Sequence, residues 1–336
     1  MDIFTEVYEK SSQMVKSRCF EERWSNIEPK LRSLLAAGGP NANEADVLEL
    51  IRSKLQEAAK GEAKPAEAIA NEILSLSRTK IPGFQERAAL IKLLQHFYFL
   101  AVKGNQSIWV VDHPVDYTKW SFDALNGKTA DELKADLQRQ EETFGAAQRR
   151  VMSDALQLAR KWSMDILAKL GSLDDNTKLS IKRWFHTDAA GDEDIKKTAA
   201  VLLDGFKKIS STCNSTSVIF SDRPHKRANG ASDSTFASVN SGDNMPVIYI
   251  FKLFLEEGKN AKGEVGKLWL CALTIIHELS HKLLQTKDLS YDDQGLKPGG
   301  VSLLAGDALK NADTWGYFAG DVVGALPAAK VKEVYQ

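Results

Sequence analysis

The stretch "LTIIHELSHKLLQ", residues 273–285, decides how this chain is read. Its apolar residues, Leu273, Ile276, Leu279, Leu283 and Leu284, recur at helical spacing and predict a buried helix. Into that helix the sequence sets His277, Glu278 and His281. Positions i and i+4 face the same way, one turn apart, so both imidazoles are expected to aim at one point. Burying two histidines and a glutamate without partners is costly. A metal ion would satisfy all three, and H-E-x-x-H on a helix is a zinc-binding pattern whose glutamate reaches a water as general base.

A catalytic zinc usually takes three protein ligands and keeps one position open. Downstream, "QTKDLSYDDQG" offers Asp288, Asp292 and Asp293, and "NADTW" offers Asp313. Spacing alone does not choose among these acids.

Taken together, "HELSH", "QTKDLSYD" and "NADTWGYFA" resemble the aspzincin metallopeptidases, the deuterolysin and peptidyl-Lys metalloendopeptidase family. That family's pattern is H-E-x-x-H, then G-T-x-D-x-x-Y-G, then N-A-D followed by aromatics. "RWF" at 183–185 and "VIYIFKLF" from Val247 resemble segments that precede the zinc helix, so the likeness spans roughly the last 190 residues. The resemblance implies that His277, His281 and Asp288 hold one zinc ion per chain. It also implies that Tyr291 stabilises an oxyanion and that Asp313 lies at the active site near the S1′ side. The chain departs from the pattern at Gln285 and Asp292, which stand where the family has glycines. Lysine-specific members carry an acid three residues after the N-A-D aspartate. Here that position is Gly316.

The implied function is a zinc endopeptidase acting on protein or peptide substrates, with Glu278 and Tyr291 as catalytic residues. The alternative from another class is a protein-binding or toxin-delivery module whose zinc site is structural or degenerate.

Composition is compatible with either. The 336 residues carry a formal net charge of -1, with 43% hydrophobic and 26% charged residues. That balance gives no sign of general attraction to nucleic acid or membranes. The run Leu268 to Leu284, interrupted by His277, Glu278 and His281, is too polar to span a bilayer. The cysteines, Cys19, Cys213 and Cys271, are too few and odd in number for a disulfide framework. Cys271 sits in an apolar run and reads as a small core residue. The N-terminus lacks the basic start and apolar core of a secretory signal. The expectation is therefore a cytoplasmic protein or one exported without a leader, for instance a bacterial effector.

The predicted fold class is α+β and predominantly α-helical. An all-helical N-terminal domain, residues 1–145, is expected to precede a zincin-like catalytic domain with short strands, residues 146–336. A pro-region, a recruiting domain and an export adaptor are all compatible with the first. In the first half, "NEADVLELIRSKLQEAAK", "PAEAIANEILSL" and "QERAALIKLLQHFYFLAVKG" read as helices, with "IPGF" at 81–84 as a turn and "IWVV" at 108–111 as a short strand. Thr129 and Glu132 form a capping box opening a long helix with a break near Gly145. In the second half, "LSIKRWF" and "IKKTAAVLLDGFKKI" read as helices, and "SVIFSD" and "PVIYIF" as strands. A last helix is placed around "LLAGDALKNADTWGYFA". The polar stretch 221–246 reads as a loop. His96 is read as a core histidine, His113 as a turn residue and His225 as exposed.

Overall fold

The computed structural model describes residues 97–102, 106–111, 143–215, 217–223, 226, 234–242, 246–259 and 266–336. The helices read before residue 97, the turn at 81–84, His96, His113, His225 and the Thr129–Glu132 box lie outside the described residues. The chain divides into two compact units.

The first unit comprises residues 1–149, 216–234 and 242–250. It holds the strands β1 (Phe97–Val102), β2 (Gln106–Val111), β3 (Ile219–Ser221) and β5 (Val247–Ile250). β1 and β2 form an antiparallel hairpin, Phe97 opposite Val111 and Val102 opposite Gln106. β2 then pairs in parallel with β3, and β3 with β5. The strand read at 108–111 is therefore part of β2. Residues 97–102, read as the end of a helix, are instead β1. A six-residue apolar run has no period of its own to separate helix from strand, and here pairing with β2 decides it. β5 is buried along its whole length. This is why "VIYI" is continuously apolar, as strands covered on both faces are. The units change over between Arg149 and Arg150, and segments from both sides of residue 145 contribute strands to this sheet.

The second unit comprises residues 150–215, 235–241 and 251–336. Its helices are α1 (Ala146–Ser172, in this unit from Arg150), α2 (Asp175–Phe185) and α3 (Asp192–Asn214). There follow α4 (Lys252–Glu257), α5 (Leu268–Leu284), α6 (Ala312–Val322) and α7 (Ala328–Val334). The two-residue strand β4, Ala237–Ser238, interrupts the polar stretch 221–246, where the sequence predicts a loop. Local chemistry sets the helix starts. Asp174 caps α2 by accepting the Thr177 amide at 2.7 Å, which satisfies an otherwise orphan donor. Three acids, Asp192, Glu193 and Asp194, open α3, where the helix dipole favours negative charge.

α5 is buried continuously from Cys271 to Ser280. It runs against α6, and at Gly316 the two pack tightly. A Cβ there would stand 2.9 Å from Leu273 Cδ2, so a larger residue would push the helices apart. Around this pair the aromatics close the core. Phe185 meets Phe318 edge-on at 5.1 Å, Phe206 lies 5.3 Å from Trp315, and Trp184 stacks on Tyr317 at 6.0 Å. The Trp184 indole donates to Asp321 Oδ2 at 2.8 Å, tying α2 to α6. Cys271 is fully buried, as read, with its thiol on the Phe254 carbonyl at 3.3 Å.

The helix expected around "LLAGDALKNADTWGYFA" begins later than its sequence pattern predicts, and it is not the last, since α7 follows it. Ala308–Lys310 form a 3₁₀ turn, and α6 starts only at Ala312. Asn311 is extended, with φ −94° and ψ 121°. A continuous helix would put its side chain elsewhere, and that side chain is needed in the loop described next.

Candidate metal centre

His277 and His281 both come from α5, one turn apart. Their rings stand edge to face, 4.7 Å between centroids. Beyond α5 the chain turns back sharply at Gln285, whose φ of 59° lies in the left-handed region. That region usually costs a residue with a Cβ and suits glycine. The return strand is then stitched to the start of α6. Lys287 donates to the Lys310 carbonyl at 2.7 Å, and Ala312 donates to the Lys287 carbonyl at 3.0 Å. This brings Asp288 back onto the histidine pair.

The contacts of the two rings fix their tautomers. His281 Nδ1 faces the Thr286 carbonyl at 2.8 Å. A carbonyl only accepts, so Nδ1 is the donor. His277 Nδ1 faces Asp313 Oδ1 at 2.6 Å and donates likewise. In the neutral rings each Nε2 then carries a lone pair. The two Nε2 atoms lie 3.0 Å apart, and Asp288 Oδ1 lies 3.1 Å from each. Lone pairs so close repel unless a cation stands among them. Zinc binds such atoms at about 2.0–2.1 Å, which for tetrahedral ligands means separations of about 3.3–3.4 Å. The observed distances come within a few tenths of that, and nitrogen and carboxylate donors are the set zinc takes. The residues fit the ion.

Without a cation, protons take its place. Burial of His277 by itself opposes its charged form, but hydrogen bonds to Asp288 and Asp313 outweigh this and push the ring up to about 10. His281 is raised too: burial opposes, and the bonds to Asp288 and the Thr286 carbonyl prevail over the neighbouring His277. Burial would raise Asp288, but the two imidazoles hold its carboxyl well below the usual carboxylate range.

Glu278 is buried beside His277 and takes a backbone hydrogen bond from Val239, next to β4. Burial raises its carboxyl above the ordinary value, against the pull of both imidazoles. Tyr291 is 43% exposed. Partial burial, then the Asp288 carboxylate beside it, hold its phenol up.

The four acids considered for the third position separate cleanly. Asp288 joins the two Nε2 atoms. Asp313 touches His277 from the far side of the ring and also accepts the Asp292 amide at 3.0 Å. Asp292 turns to Tyr317 and Lys330. Asp293 is exposed. Among the described residues, His277, His281 and Asp288 form the group of side chains able to share a metal ion.

Sequence reasoning passed over two residues that hold the site in place. Thr286 supplies the carbonyl on His281, and its hydroxyl bonds Ser280 at 2.7 Å. Asn311, fully buried, accepts the Leu289 and Ser290 amides and donates to the Ser290 carbonyl and the Thr314 hydroxyl. Both stand in the segments that carry the resemblance, "QTKD" and "NAD", which is the signal that could have found them.

In comparisons with known proteins, residues 172–320 match the aspzincin family, described as lysine-specific metallo-endopeptidase. No curated protein and no solved structure matches the chain.

Proposed function

Since residues 172–320 of this chain belong to the aspzincin family, we propose that it is a zinc-dependent endopeptidase whose centre is held by His277, His281 and Asp288. The observation that carries this reading is the convergence of His277 Nε2, His281 Nε2 and Asp288 Oδ1 within 3.1 Å of one another while both Nδ1 atoms are engaged elsewhere. When bound there, zinc supplies Lewis acidity towards water and towards a peptide carbonyl.

The remaining work falls to the chain's own groups. Glu278 takes the proton of the attacking water and passes it to the leaving amine. Its burial suits the first of these transfers, since a raised carboxyl is the stronger base towards the proton of the water. The Tyr291 hydroxyl, at the exposed side of Asp288, donates to the oxygen of the carbonyl as charge develops there. One such donor is worth about 2.7–4 kcal/mol. Asp313 fixes the His277 ring and strengthens it as a donor, as carboxylate partners of ligand histidines do.

Substrate preference is read from Gly316. The family description includes lysine specificity, yet this chain has no acid three residues after Asp313, and the position is packed against Leu273. The proposal is therefore an endopeptidase without lysine preference at P1′. The chemistry is assigned to residues 146–336. Residues 1–145 supply β1 and β2 to the first unit's sheet, and a pro-region, recruitment or export role for the rest is open to truncation experiments. No described helix is long and apolar enough to cross a membrane.

The decisive experiment combines metal analysis with cleavage of an unfolded protein such as casein. One zinc per chain with cleavage supports the proposal. One zinc without cleavage favours a binding module with a structural site.

A further inference from the structure

Asp292 stands where the family pattern has its last glycine. Its side chain is tied twice: Oδ2 accepts the Tyr317 hydroxyl at 2.6 Å and the Lys330 ammonium at 3.0 Å. Tyr317 is itself fixed, nearly fully buried and stacked on Trp184. Lys330 lies on α7, beyond the residues that match the family. The Asp292 amide donates to Asp313 Oδ2 at 3.0 Å, and the other oxygen of Asp313 takes the His277 Nδ1 proton at 2.6 Å. A continuous line of contacts thus runs from α7 to the imidazole.

We propose that Asp292, anchored by Tyr317 and Lys330, is a positioning residue that sets the orientation of His277 through its backbone amide and Asp313. The proposal rests on the reading of His277 as a zinc ligand. A carboxylate bonded through one oxygen can still turn about its Cβ–Cγ bond. Bonded through both, it is fixed, and so is the ring it holds. The amide can hold Oδ2 only while residue 292 stays in place, and residue 292 sits in a loop. A glycine there has no side chain to tether. Here the carboxylate pins the loop to α6 and α7, and α7 becomes part of the support of the centre. Ligand-orienting partners of this kind typically change metal affinity by about 10–100-fold when removed. One contact further out, the lower end applies.

Two measurements on the full chain test this. One is the zinc dissociation constant by competition with a chromophoric chelator. The other is the downfield NMR signal of the His277 Nδ1 proton in zinc-free protein. Asp292→Ala is expected to weaken zinc about tenfold and to shift or broaden that signal. Lys330→Met and Tyr317→Phe should each do the same in smaller measure, while Lys330→Arg keeps both readouts at wild-type values. Wild-type affinity and an unmoved signal in Asp292→Ala, even with a lowered melting temperature, would overturn the proposal. Should Asp292→Ala fail to fold, unchanged readouts in both Lys330→Met and Tyr317→Phe overturn it instead. If the wild type binds no zinc, the peptidase reading fails, and the zinc-free NMR signal alone decides this one.

Discussion

Asn311 holds Ser290 from both sides: its Oδ1 accepts the Ser290 amide at 3.1 Å and its Nδ2 donates to the Ser290 carbonyl at 3.0 Å. The side-chain amide acts as a neighbouring strand would, and the segment it grips follows Asp288 directly. Asn311→Ala removes these bonds and leaves buried backbone groups unpaired, at a cost of roughly 2–4 kcal/mol. Thermal unfolding should show the loss, and zinc affinity should fall with it. A variant that melts and binds zinc like the wild type would show that the loop does not depend on this clamp.

Glu278→Gln keeps the size of the side chain and removes its basicity. It should bind zinc normally and lose hydrolysis by about 100-fold or more. His281→Ala should lose both metal and activity. Metal content and casein cleavage, measured side by side, separate the two roles. Cleavage by Glu278→Gln at the wild-type rate would remove the glutamate from the reaction.

The metal-free protein should be sensitive to alkali. His277 is held up to about 10 in the folded state, above its ordinary 6.5. A group raised by folding adds stability that is complete below its unfolded value and is lost as pH climbs through the folded one. Stability should therefore decline from about pH 6.5 towards about 10. Asp288 acts at the other end: held down, it contributes above its ordinary 3.8 and stops contributing as pH falls below that. Zinc displaces the protons from its ligands, so loading should flatten the alkaline decline. Melting curves between pH 6 and 10, with chelator and with zinc, should differ in slope, and parallel curves would contradict the assignment.

Gln285→Gly places glycine where φ is 59°. Relief of the left-handed strain, less the added freedom of the unfolded chain, should stabilise by about 0.5–1 kcal/mol. A small rise in melting temperature at unchanged zinc affinity is the expected result. A fall would mean that the Gln285 side chain contributes more than its backbone strain costs.

Cleavage sites mapped by mass spectrometry on casein should show no enrichment of lysine at P1′. Gly316→Glu should not create that preference, because a side chain there meets Leu273 across the helix contact. It should instead lower stability, by about 1–3 kcal/mol as overpacking does. Strong lysine enrichment in the wild type would assign the specificity to residues other than the one at position 316.

The sequence made the α5 part of the site legible because one rule, the helical turn, fixes where residues 277 and 281 point. It did not determine which acid would meet them. The spacing from His281 admits several, and the choice depends on a left-handed turn at Gln285 and on strand pairing between Lys287 and Asn311. Both are settled by tertiary structure. Thr286 and Asn311 went unnoticed for the same reason: short polar side chains have no periodicity, and their roles exist only once distant segments meet. The strand at Phe97–Val102 was misread because six apolar residues suit either a helix or a strand, and only pairing with β2 discriminates. The late start of α6 also followed from tertiary demand, since Asn311 leaves the helix in order to hold the loop.

The donors of the centre all lie within residues 277–288, although the supports around them come from much farther along the chain. Closing so short a loop costs little entropy. What holds it shut is the pairing of Lys287 with the chain just before α6, so an ion bound there would reach a unit already assembled and act as a late lock on the finished fold.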